Sequence, residues 1–399
     1  MPRKRVIFHI DVNSAFLSWT AVQLMQGGRA DIRLLPSAVS GDPDDRRSII
    51  TAASIPAKKL GVKTAEPVGM ALRKCPGLVL VRGDWEWYGR CSEGFIDICR
   101  KYSPLLQQFS IDECFIDVSE YLMGREPVEV ASMLKEEIKE RLGFTVNVGV
   151  GSNKLLAKMA SDFEKPDKVH TLWKHEVQEK MWSLGVRELL WVGKKTEEKL
   201  TMNGIRTIGD IARMPLGALV GLVGKKFACQ MLEYANGRDD SPVETVVPEA
   251  KSISAERTMS KDIADGRAID KVLFNVACVV AHRLRKARFR ASCVSVFIKY
   301  KDFTVMQRQR QMSQATDVTA VILNEARCMV NELWDKKTPL RQVGLGVSKL
   351  THDVAVQLSL FEDPKMGYYR EWDRNYDDEK SRKEDARLLA YERRRTQEK

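Results

Sequence analysis

The stretch "FSIDECFIDV", Phe109 to Val118, sets Asp112 and Glu113 side by side inside an alternating apolar run. An ionised carboxylate in apolar surroundings is costly unless something neutralises it. A second run, "VIFHIDVNSAF" from Val6, places Asp11 at the end of another strand pattern. Two exceptions of one chemistry, each in a strand-like segment, suggest a shared cause.

The segments around them define a layout. Residues 5–11 alternate as a strand, and "NSAFLSWTAVQLMQ" has helical spacing, with Asn13 or Ser14 as its cap and Gly27-Gly28 as its stop. Residues 33–40 and 48–54 read as short strands about the turn "GDPDD"; "PAKKLGV" is a helix opened by Pro56, and Met70–Lys74 forms another. After "LVLVRGD" come a helix over 85–102, a hairpin over 107–118, a helix from Val128 to Leu142 and the strand "FTVNVGVG". Strand, helix, hairpin, helix, strand is the order of a ferredoxin-like α+β sheet with helices on one face, and residues 35–76 are an insertion into it.

From Lys154 the pattern turns helical, and "LLWVGKKTEEKLTMNGIRTIGDIARMP" carries glycine turns at Gly193 and Gly204. Beyond the polar stretch "NGRDDSPVETVVPEAK", the segments "KSISAERTM", 268–288, "CVSVFIKYK", "FTVMQRQRQM", 316–334 and "RQVGLGVSKL" repeat a βαββαβ order. The second unit therefore also reads as ferredoxin-like, by layout and not by sequence repeat. The tail from about 365 is highly charged and poor in aliphatic residues, which predicts a solvated helix or a disordered segment.

Composition narrows the function. A chain of 399 residues with 44% hydrophobic content is folded and multidomain. No run approaches the roughly 20 apolar residues of a membrane span, and the start lacks a small-residue cleavage site, so a cytoplasmic protein is expected. Eight cysteines without a CxxC pair and five unclustered histidines argue against zinc fingers and disulfides. The formal charge of +11 suits a polyanionic partner such as nucleic acid.

In a ferredoxin-like sheet the first strand lies between neighbours, so Asp11 can sit beside the hairpin strand carrying Asp112 and Glu113. Three close carboxylates repel one another unless a hard divalent cation lies among them, and oxygen-only ligands favour Mg²⁺ over zinc. A pair of such ions suits in-line phosphoryl transfer. The competing reading is a hairpin turn in water that needs no metal.

Flanking residues decide between them. "HIDVNSAFLS" resembles the first catalytic motif of the Y-family, lesion-bypass DNA polymerases; "FSIDECFIDVSE" resembles the second, and "GVGSNKLLAKMASDFEKPD" the third. With "AERTM" and "GLGVSKL" the match runs over residues 1–350 in order, and bacterial DNA polymerase IV is the class it most resembles. The resemblance implies a palm with inserted fingers over 1–165, a thumb with a helix-hairpin-helix over 166–240, a little finger over 245–350, and a tail over 351–399.

It further implies that Asp11, Asp112 and Glu113 are the catalytic metal-binding acids, with the Val12 carbonyl as a further ligand. Mg²⁺ in two sites, with Mn²⁺ as a substitute, is the implied cofactor. Phe16 falls on the steric gate, the ring that excludes a ribose 2′-hydroxyl. Lys165 falls on the triphosphate lysine, where a flexible ammonium tracks phosphate charge. Within "SIPAKKLGV" the family's Tyr and Arg are Ile55 and Lys58, so a hydroxyl is lost and a bidentate fork becomes a point charge.

"WVGKKTEEKL" resembles a helix-hairpin-helix in which amides around Gly193, with Lys194 and Lys195, face a DNA phosphate. Arg257, and Arg308 with Arg310 on one strand face of "MQRQRQ", suit backbone tracking along DNA. "VQLSLFED", with Gln357, Leu358, Leu360 and Phe361, looks like the peptide that bacterial polymerases insert into the sliding clamp. The expected protein is a monomeric, low-fidelity translesion polymerase without proofreading, acting on primer–template DNA and dNTPs. Two rivals are a catalytically silent relative that binds DNA and the clamp, and a nucleotidyl cyclase sharing the palm and its acids.

Overall fold

A computed structural model of the protein describes residues 5–44, 48–352 and 364–397. The chain divides into two compact units, Met1–Val247 and Pro248–Lys399.

In the first unit the elements run β1 (Ile7–Val12), α1 (Ala15–Gln26), β2 (Ser37–Ser40), β3 (Ile50–Ala53), α2 (Ile55–Lys59), α3 (Val68–Lys74), β4 (Val79–Arg82) and α4 (Trp85–Tyr102). Then follow β5 (Leu106–Gln108), β6 (Glu113–Asp117), α5 (Pro127–Leu142), β7 (Val146–Gly151), α6 (Lys154–Ser161) and β8 (Val169–Leu172). The main sheet has the order β5-β6-β1-β7-β8. β1 is interior because "IFHIDV" has apolar residues on both faces, and only Asp11 at its end is not fully buried. Its register pairs Asp11 with Glu113 on β6 and with Asn147 on β7.

Helices α4 and α5 pack on this sheet as expected, but α6 covers the face that carries Ile7, His9 and Asp11. Helices therefore lie on both faces. The physical reason is in β7: a Cβ at Gly149 would fall 1.9 Å from the Ala157 carbonyl oxygen, and one at Gly151 would fall 2.6 Å from the Ala157 nitrogen. Only glycine lets the helix come that close. A second departure is β8, a short strand parallel to β7 in a stretch expected to be helical.

The insertion is a three-stranded sheet, order β3-β2-β4, around a small core that includes Ala38, Ile50, Val68 and Leu78. It reaches Arg82 and not 76, because "VLVR" pairs in parallel with β2. Ile32–Leu34 forms a single 3₁₀ turn where a strand was expected to begin. Beyond β8, α7 (Lys194–Met202), α8 (Ile208–Arg213), α9 (Leu216–Val223) and α10 (Lys225–Ala235) enclose a helical core that includes Leu200, Ile208, Leu219 and Met231.

The second unit runs β9 (Ser252–Ile263), α11 (Gly266–Lys286), β10 (Arg290–Tyr300), β11 (Val305–Thr316), α12 (Thr319–Leu333) and β12 (Leu340–Thr351). The element order is the expected βαββαβ, while the strand order, β11-β10-β12-β9, puts the first strand at an edge.

A final helix, α13 (Met366–Gln397), forms where a solvated helix or a disordered segment was expected. Its first turns are docked instead. Buried Asp373 accepts from the Thr319 amide at 3.1 Å and the Thr319 hydroxyl at 2.5 Å, capping α12, whose own N-cap residue Val318 cannot. Asp377 takes the Arg285 Nε at 2.6 Å and Nη2 at 2.8 Å, and His282 at 2.8 Å, while Trp372 meets Phe274. Composition hid this face because its anchors are charged and aromatic rather than aliphatic.

Candidate active site

Asp11 and Asp112 open into a cleft of about 520 Å³, lined on one side by Asn13, Ser14 and Phe16 and on the other by Thr51, Ala53, Ile55 and Lys58. The cleft lies between the main sheet and the inserted one. β1 delivers Asp11 to it, and the turn before β6 delivers Asp112, whose carbonyl accepts from the Val12 amide at 2.9 Å. Glu113 is the cross-strand partner of Asp11 and lies on the same sheet face, under α6.

The three acids stand within each other's electrostatic reach. Burial raises the Asp112 carboxyl above its ordinary range; a bond from Ser110 Oγ at 2.5 Å opposes this, and the charges on Asp11 and Glu113 push it up further. Burial also works against ionisation of Glu113, but bonds from His9 at 3.0 Å and Lys158 at 2.5 Å win and bring it down to about 2. Lys165 is ion-paired with Asp11 and lies 2.8 Å from Asp162. Burial depresses Lys165, yet those two acids hold its ammonium above the ordinary lysine range.

Among the described residues no three His, Cys, Asp or Glu side chains are already gathered as a metal cage. Lysine ammoniums occupy Asp11 and Glu113 instead. The donor set still fits a hard divalent cation: oxygen atoms only, three carboxylates within electrostatic reach of one another, and at Asp11 a flexible lysine ammonium that can give way to a metal.

Phe16 is half-buried on the cleft wall, backed by Tyr88 at 5.0 Å, Trp85 at 5.1 Å and Trp19 at 5.9 Å between ring centroids. A ring braced on three sides is a rigid wall. Lys58 donates to Ser14 Oγ at 3.1 Å. Burial and the nearby Lys165 charge both lower its pKa. Two ammoniums repelling across a cleft make a seat for a polyanion. Ile55 lines the same cleft, so the lost hydroxyl faces the site.

Three participants escaped the sequence reading. Ser14, expected as a helix cap, makes no capping bond; it sits at φ 48° with its hydroxyl turned to Lys58. Lys158, within the third motif, reads as an ordinary helix-face lysine. His9 was detectable: two residues before Asp11 on a strand, it must share the face of Asp11.

The residues expected at DNA divide. Gly193 ends its turn just before α7 with no side-chain cap, and Lys194 and Lys195 stand exposed in that first turn. Arg308 and Arg310 do share a strand face, but it is the face of Val296 and Val294, their cross-strand partners, turned toward α12. There Arg308 is ion-paired with Glu332, and Arg310 with Glu332 at 2.7 Å and Glu325 at 3.3 Å. Alternation put the pair on one face without saying which, and acids on α12 chose it. Arg257 pairs in register with buried Val343, beside a groove between β9 and α11. Gln357, Leu358, Leu360 and Phe361 lie outside the described residues.

Known proteins resemble this chain in sequence and in fold. Residues 10–162 match the impB/mucB/samB family, and residues 250–360 match the impB/mucB/samB family C-terminal domain. DNA polymerase IV of Clostridium acetobutylicum is 42% identical over 360 residues, covering 90% of this chain and 90% of that protein. DNA polymerase IV 1 of Bacillus subtilis is 34% identical over 372 residues, covering 92% of this chain and 88% of that one. A Y-family DNA polymerase chimera of known structure shares the fold, with a TM-score of 0.75 at 23% identity over 87% of this chain and 100% of its own. With relatives matched along nine-tenths of its length, at 42% identity in one case, the chain belongs to the Y-family of lesion-bypass DNA polymerases and is similar to bacterial DNA polymerase IV.

Proposed function

We propose that the protein is a template-directed DNA polymerase that adds deoxynucleotides to a primer 3′-hydroxyl and copies past damaged bases with low fidelity. The observation that carries this is the convergence at one cleft of half-buried, mutually repelling carboxylates, paired lysines and a braced aromatic wall. A divalent metal dependence goes with the family, and Asp11, Asp112 and Glu113, with the Val12 carbonyl, are the groups that would hold the metal. Bound there as Mg²⁺ in two sites, or Mn²⁺ in its place, it would activate the hydroxyl nucleophile and neutralise charge on the leaving group.

The chain's own residues do the rest. Lys165 and Lys58 exchange their present partners for the oxygens of an incoming triphosphate, where a flexible ammonium follows charge through the reaction. Phe16, fixed by Tyr88, Trp85 and Trp19, stands where a ribose 2′-hydroxyl would collide with it. Small residues on the fingers side, Thr51, Ala52 and Ala53, leave room beside a nascent base pair, which favours tolerance over accuracy.

Around the site, amides at Gly193 with Lys194 and Lys195 hold duplex phosphate without reading bases. The enzyme works as a cytoplasmic monomer, tethered through residues 357–361 to the sliding clamp; no described helix is long and apolar enough to cross a membrane. Tethering raises the effective concentration at the primer end.

Primer extension tests the reading. Wild-type protein extends a primer with dNTPs and Mg²⁺, and Asp112→Ala does not. A wild-type protein inactive with both Mg²⁺ and Mn²⁺ would refute it.

A further inference from the structure

Glu113 is the most firmly held of the three acids, and both of its donors sit on one oxygen. His9 Nε2 lies 3.0 Å and Lys158 Nζ 2.5 Å from Oε2, and no donor is recorded on Oε1. His9 itself is wholly buried, with its ring against Phe115 at 4.7 Å between centroids. In register its other neighbour is Gly149, whose missing side chain lets α6 close over the histidine. From α6, Ser161 Oγ lies 2.8 Å from His9 Nδ1 and 2.8 Å from the Lys158 carbonyl.

The chemistry of these atoms orders the chain. A carboxylate oxygen offers only lone pairs, so the shared proton belongs to Nε2 of His9. Nδ1 of the neutral ring is then an acceptor, and the Ser161 hydroxyl, 2.8 Å from both, is shared between it and the Lys158 carbonyl. The Glu113 carboxylate thus sets the tautomer, Ser161 supports the ring at Nδ1, and the Nε2 donor holds one oxygen of Glu113 in place. Loop and surface carboxylates turn about their last bond; this one is clamped by groups from β1 and α6.

We propose that His9, held at Nδ1 by Ser161, is a positioning residue that locks Glu113 Oε2 so that Oε1 is presented in one orientation to a divalent cation. His9 touches neither substrate nor metal. The proposal rests on Glu113 being a metal ligand, and the test separates the two ideas. Loss of partners that orient a ligating carboxylate typically costs about 10- to 100-fold in metal affinity.

The experiment reads metal binding without turnover: Mn²⁺ titrated by paramagnetic resonance into full-length protein with a dideoxy-terminated primer–template and dNTP. Glu113→Ala is the control; if its Mn²⁺ affinity equals wild type, the ligand assignment fails. Provided that control weakens, His9→Leu is expected to bind Mn²⁺ about 10-fold more weakly. His9→Gln, whose amide can reach the same oxygen, should stay near wild type, and Ser161→Ala should fall between the two. Half-saturating Mg²⁺ in single-nucleotide incorporation should move in the same rank order. Wild-type Mn²⁺ affinity in folded His9→Leu overturns the proposal. If His9→Leu fails to fold, wild-type affinity in Ser161→Ala overturns it instead.

Discussion

Asp373→Ala removes the cap that α13 lends to α12. Thr319 is almost wholly buried, so its hydroxyl and amide have no water to turn to. Loss of an N-cap side chain costs about 1 kcal/mol. Stranding the Thr319 hydroxyl proton, whose oxygen still accepts from Arg285 Nη1 at 3.3 Å, adds roughly 1–3 kcal/mol. Arg285 keeps Asp377, at 2.6 Å and 2.8 Å, so no charge is stranded. Burial holds the Asp373 carboxyl above its ordinary range, which takes back part of the sum. The net expectation is a loss of about 2 kcal/mol, a factor of roughly 30 in the opening equilibrium at about 1.4 kcal/mol per decade. Native-state hydrogen exchange reads it directly: the amides of Thr319 to Ile322 should exchange about 30-fold faster, while those of β1 are unchanged. Asp373→Ala and Thr319→Ala should be non-additive, because each removes the same bond. Unchanged protection at Thr319, or strict additivity, would show that the helix is not docked as described.

At the cleft, Phe16→Ala should admit ribonucleotides while retaining dNTP incorporation, and unchanged sugar selectivity in single-nucleotide assays would remove the gate assignment. Ile55→Tyr with Lys58→Arg restores a hydroxyl and a forked donor at the triphosphate seat, and should lower the apparent dNTP KM several-fold; no change would mean that these positions do not reach the nucleotide. Deleting residues 357–361 should abolish clamp-stimulated synthesis and spare basal extension, whereas equal loss of both would make the segment structural.

Local pattern was enough for much of this protein. Period-2 alternation placed β1 and β6, and an acid inside each such run announced a site before any coordinates, because unpaired charge in a strand interior demands a reason. The helix over 85–102 and the βαββαβ order of the second unit were legible for the same reason: their signals lie within one turn or one pleat. The motif spacing around Asp11, Asp112 and Lys165 added the family.

Partnership between distant segments was not legible. That α6 closes over the His9 face depends on glycines in β7; that Arg308 and Arg310 turn to Glu332 depends on α12; and that α13 caps α12 depends on one aspartate 54 positions away. Alternation assigns residues to a shared face, but which face meets a helix is settled only when the layers stack. Sequence alone thus determined which segments carry the acids and what chemistry those acids suit, while the structure sets Asp112 in the turn before β6. Tertiary packing decided which cations hold them, which oxygen is left open and which arginines are already engaged, because those outcomes rest on long-range contacts that no local periodicity encodes.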